Sequence, residues 1–147
     1  MKKRYIAAAL LVAGLSAAYL SLPSGSRSRK TESVAALGKE VGVTFPPSTR
    51  LIGVHRESGM DDYVAIKLEM KAADVPTFLA SSPIDPTTMT ADAVAYFGLD
   101  RDFWDPNKAP GFRAAQANPP GTFRTLNLGV SDPRNGVAAV YIVEHGD

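Results

Sequence analysis

This sequence contains no cysteine. Disulfides, thiolate metal ligands, thiol nucleophiles and lipid attachment through sulfur are all excluded, and stability has to come from packing. Histidine is almost as scarce, with only His55 and His145. A zinc site wants three or four ligands, and two imidazoles would have to recruit scattered carboxylates to make one. No serine stands in Gly-x-Ser-x-Gly, and nothing ties Ser58 or Ser131 to a base and an orienting acid. Asp100, Asp102 and Asp105 do not make a calcium loop, because Trp104 occupies a ligand position and Gly111 stands where the closing glutamate belongs. Asp61 and Asp62 are adjacent, so on an extended chain they point opposite ways, which suits a turn rather than a shared proton or metal. There is no internal period of a repeat protein. No catalytic, cofactor or metal residue is assigned.

Acidic residues are missing from the first 30 positions, which hold six of the 16 Lys and Arg. Lys2, Lys3 and Arg4 precede an uncharged run from Tyr5 to Leu22, the charged-then-apolar order of a membrane-targeting segment. At about 1.5 Å per residue its 18 residues reach the lower edge of a bilayer core of about 30 Å. Ser16-Ala17-Ala18 and Ser24-Gly25-Ser26 offer small residues for cleavage, yet the run exceeds the usual apolar stretch of a cleaved signal. Residues 1–22 therefore read as a signal peptide or an N-terminal membrane anchor, residues 23–32 as a flexible linker rich in Ser, Gly and charge, and residues 33–147 as a single domain. An exported address follows: periplasmic or extracytoplasmic, with or without attachment to the inner membrane.

The overall charge of +1 averages a basic leader with an acidic body. Residues 31–147 hold ten basic and 15 acidic residues, a net of minus five. Such a surface repels phosphate backbones, so nucleic acid is not an expected partner.

Ser33 is placed to cap a helix in which Val34, Leu37 and Val41 share a face and Gly42 ends it. Pro46-Pro47 then forces extended chain. Arg50 to Arg56 reads as a strand. Asp62 to Met70 alternates, with Val64, Ile66, Leu68 and Met70 on one side and Tyr63, Ala65, Lys67 and Glu69 on the other. A short loop containing Gly59 joins them as a hairpin. Asp74 with Pro76 predicts a helix through Leu79, and Thr90 to Gly98 a second one. Leu99 to Gly121 reads as a long irregular crossing. Phe123 to Val130 and Val137 to Val143 read as a second hairpin across the turn Ser131 to Gly136. The predicted fold is α+β: a four-stranded antiparallel sheet of two β-hairpins with two or three short helices on one face.

If helices cover one face only, the other displays Tyr63, Lys67, Thr125, Asn127 and Tyr141. Trp104, the sole tryptophan, sits in the crossing, where it either pins that segment to the core or stands out as a partner anchor. The candidate partner contacts are Trp104, Tyr63, Lys67 and Tyr141.

Val43-Thr44-Phe45-Pro46-Pro47-Ser48, Gly59-Met60-Asp61-Asp62 and Phe103-Trp104-Asp105-Pro106 together resemble small exported proteins of bacteria, over about residues 40 to 145. That resemblance implies export and a bacterial source, and carries no activity. The expected function is a non-enzymatic envelope module that binds another envelope protein, an immunity or inhibitor protein being one concrete form. The alternatives are a small hydrolase or ligand-binding domain using His55 with Asp61 or Asp62, and a structural envelope component.

Overall fold

Five antiparallel strands form one sheet in the order β1-β2-β5-β4-β3 in this computed structural model, which describes residues 32–59 and 62–146. The strands are β1 (Arg50–Glu57), β2 (Tyr63–Lys71), β3 (Arg113–Ala117), β4 (Arg124–Val130) and β5 (Val137–Gly146). The leader and nearly all of the linker expected at the N-terminus lie outside the described residues.

β5 is central, which is why its residues are apolar on both faces. It pairs with β2 from Tyr63↔His145 to Lys71↔Val137 and with β4 from Arg124↔Gly146 to Val130↔Val140. The β4–β5 turn places Asn135 and Gly136 at φ 51 and 77, the left-handed pair that matches the twist of a tight hairpin.

The sheet has one strand more than predicted. β3 lies inside the stretch read as an irregular crossing, and Arg113-Ala114-Ala115-Gln116-Ala117 carries little strand propensity of its own. Its pairing with β4 and a bridge from Ala114 to Thr90 hold it in place.

The even side of β2 builds the first core. Val64, Ile66, Leu68 and Met70 meet Leu126, Leu128, Val140 and Ile142 under two helices, α1 (Val34–Val41) and α2 (Val75–Ser81). Fully burying each such side chain contributes about 1.5–3 kcal/mol. Ser33 caps α1 by accepting from the Ala36 amide at 3.1 Å, as its position predicts, and Leu37 and Val41 turn inward. Asp74 precedes α2 but does not cap it; its carboxylate accepts the Ser48 hydroxyl at 2.5 Å and ties the chain before β1 to the end of β2.

The opposite face is covered as well, which corrects the expectation of helices on one side and an open platform on the other. The segment predicted as a helix from Thr90 forms a 3₁₀ helix, Asp92–Phe97. Together with residues 99–112 it lays Ala93, Phe97, Trp104 and Phe112 over Ala65, Ala114, Tyr141 and Val143 as a second core. A crossing without α-helix of its own thus serves as the third layer.

Candidate contact surface

The covering segment is held down ring by ring. Trp104 is 7% exposed; its indole Nε1 donates to the Phe97 carbonyl at 2.7 Å, and its ring meets Tyr141 edge-on at 5.3 Å. Two glycines make room for the layer. A Cβ on Gly53 would lie 2.5 Å from the Phe103 ring, and one on Gly129 would lie 2.3 Å from Phe112, so both rings rest directly on strand backbone.

A polar anchor sits beside these rings. Lys67 on β2 makes an ion pair with Asp105 and lies 5.3 Å from the Tyr141 ring centre, while the Tyr141 hydroxyl donates to Asp105 Oδ1 at 2.6 Å. Partial burial pushes the Asp105 carboxyl up, but the hydrogen bonds from Lys67 and Tyr141 outweigh it and hold the group below the ordinary aspartate value. Burial first, and the Asp105 carboxylate second, push the Tyr141 phenol far above its usual value. Tyr141 is therefore a fixed donor, and nothing in this arrangement prepares it as an acid or base.

The anchor forms the floor of a cleft of about 390 Å³ whose rim carries Glu69, Lys108, Asp132 and Arg134. Its mixed charge suits charged side chains of another protein more than one ionic ligand. Beyond the cleft, the outer side of the covering segment presents Asp92, Tyr96, Asp100 and Asp102 to solvent, with Tyr96 55% exposed.

Two of the four predicted contacts fall inside the molecule. Trp104 and Tyr141 are core residues, and Asn127, expected on the same open face, is 2% exposed. The reason is the second layer: the crossing brings its own aromatic side chains to the sheet and consumes the surface that a partner would have used. Lys67 survives at the cleft floor with 12% of its side chain exposed. Tyr63 lies toward another end of the sheet, half-buried between the rings of His55 and His145. Burial is the main cause that raises its phenol above the usual value.

No hydrogen bond or ion pair joins His55 to Asp62, although Glu57 and Tyr63, both next to His55, line the same cavity as Asp62. His55 Nε2 faces Glu57 Oε1 at 2.8 Å, and Arg101 Nε donates to His55 Nδ1 at 3.3 Å. The hydrogen bond from His55 is the largest cause holding the Glu57 carboxyl below its ordinary value. Asp62 instead lines a small cavity with Glu40, Arg56, Arg124 and Glu144, and Asp61 lies outside the described residues. Among the described residues no group of three or more His, Asp or Glu is arranged to hold a metal.

No protein family, curated protein or solved structure matches this chain.

Tyr96 was not among the predicted contacts, although its signal was present. Ala93 and Phe97 face the core, and Tyr96 falls outside the stripe they define.

Proposed function

We propose that this protein is a non-enzymatic, exported protein-binding module that meets its partner through the outer side of the covering segment rather than through the sheet beneath. The observation that carries this reading is Tyr96, exposed on a segment fastened by Trp104, Phe103, Phe112 and Asp105, with Asp92, Asp100 and Asp102 exposed on the same segment. An aromatic side chain on a preorganised support is where binding energy concentrates, because little ordering entropy is lost on contact. The acidic body supports a basic partner, whose approach it steers. An immunity or inhibitor protein that neutralises a basic effector has this form. The basic-then-apolar leader and the resemblance to small exported bacterial proteins support an envelope address.

The test is photocrosslinking in a bacterial host from position 96 of the full chain, followed by separation of envelope and cytosol. One dominant envelope adduct is expected, lost at high salt and reduced about tenfold when Asp100 and Asp102 are changed to Asn. Recovery of the full-length chain from cytosol, or an envelope fraction without any adduct, overturns the reading.

A further inference from the structure

The first core is left open at one corner. Between α2 and the ends of β3, β4 and β5 lies a cavity of about 170 Å³ walled by Val75, Leu79, Met89, Val130 and Ala138. All of these except Ala138 are only partly buried. Protein interiors ordinarily close to the density of organic crystals, and an apolar cavity of about 150 Å³ is large enough to take up benzene. This corner is an apolar recess of comparable volume, open to solvent on one side.

Two donors stand at its edge. Arg113 on β3 is exposed and makes no ion pair or side-chain hydrogen bond among the described residues. Ser131 is 8% exposed; its Oγ accepts the Ala139 amide at 3.0 Å, and its own hydroxyl proton has no acceptor among the described residues. A guanidinium fork and a buried hydroxyl next to apolar walls match one chemistry, a carboxylate attached to a compact hydrocarbon.

We propose that this cavity binds a small monocarboxylic acid with an apolar body the size of a benzene ring, its carboxylate received by Arg113 and Ser131. The proposal does not rest on the protein-binding reading at Tyr96, although Ser131 and Asp132 also line the cleft beside the Lys67–Asp105 anchor. Asp132 also lines the cavity, with its carboxylate laid against Gly111. It opposes an incoming anion, and that opposition gives the test a sign.

The full-length protein is titrated with benzoate, and with benzyl alcohol as the uncharged counterpart, while the amide resonances of Leu79, Ser131 and Ala138 are followed by NMR. Saturable shifts at these three residues are expected. Arg113→Gln weakens benzoate about tenfold and leaves benzyl alcohol unchanged. Asp132→Asn tightens benzoate by a factor of about two to five. Leu79→Trp fills the cavity and abolishes both, with Trp104 fluorescence used to confirm that the first two variants remain folded. No saturable shift at these positions, equal loss of acid and alcohol in Arg113→Gln, or weaker benzoate binding in Asp132→Asn overturns the proposal.

Discussion

The Tyr141 hydroxyl donates to Asp105 Oδ1 at 2.6 Å, so the middle of the central strand is fastened to the segment that crosses above it. Tyr141→Phe removes only the donor and leaves Asp105 its partner in Lys67. A loss of about 1 kcal/mol in urea unfolding is expected, with the slope against denaturant unchanged. Asp105→Ala costs about 2–3 kcal/mol, because it orphans the buried hydroxyl and a mostly buried ammonium together. Equal losses for the two variants would show that the carboxylate does not unite both donors.

The same carboxylate sets a pH dependence. Asp105 is depressed in the folded state, so its contribution is complete above the ordinary aspartate value of about 4 and is lost as pH falls through the lower folded value. The stability gap between the wild type and Asp105→Asn should be constant from pH 7 to 5 and narrow below pH ~4. Because 44% of the Asp105 side chain is exposed, added salt should shrink the gap as well. A gap that persists unchanged at pH ~2.5 would contradict the depressed value.

Gly53 and Gly129 are the seats of Phe103 and Phe112. Alanine at either position puts a methyl group into a ring and should cost about 1–3 kcal/mol. Pairing Gly53→Ala with Phe103→Ala should restore part of that loss, since the second change removes the obstruction. Near-UV circular dichroism reports the packing of Trp104 in each variant; full additivity of the two changes would argue against direct contact.

Trp104 and Tyr96 separate core from surface on one segment. Trp104→Ala is expected to destabilise by about 3–5 kcal/mol, through the vacated volume and the unpaired Phe97 carbonyl. Tyr96→Ala should stay within about 0.5 kcal/mol of the wild type while lowering the amount of partner that co-purifies with the protein. If alanine at Trp104 left thermal unfolding unchanged, the second core would not be as described.

Both hairpins were legible in the sequence because β2 alternates strictly and the Asn135-Gly136 turn has only one good use in a hairpin. Helix α1 was legible from Ser33 at one end and Gly42 at the other. β3 was not, since three alanines in five residues announce no preference and only pairing with β4 makes them extended. The covered second face was missed for a related reason. A period-two pattern shows that Lys67 and Tyr141 share a side of the sheet, but it cannot show that a segment about 25 to 50 residues away in sequence lies across that side. Trp104 carried the clue: an isolated tryptophan in a stretch with little regular structure needs a surface to cover, and that surface was the platform taken to be free.

The position of β5 has one more consequence. Among the described strands it is the last in chain order, and it alone joins the β1–β2 pair to the β3–β4 pair. The β1–β2 and β3–β4 pairs can each form locally, yet neither gains its middle neighbour until β5 is in place. A chain truncated before Val137 should yield a product destined for proteolysis rather than a smaller working version.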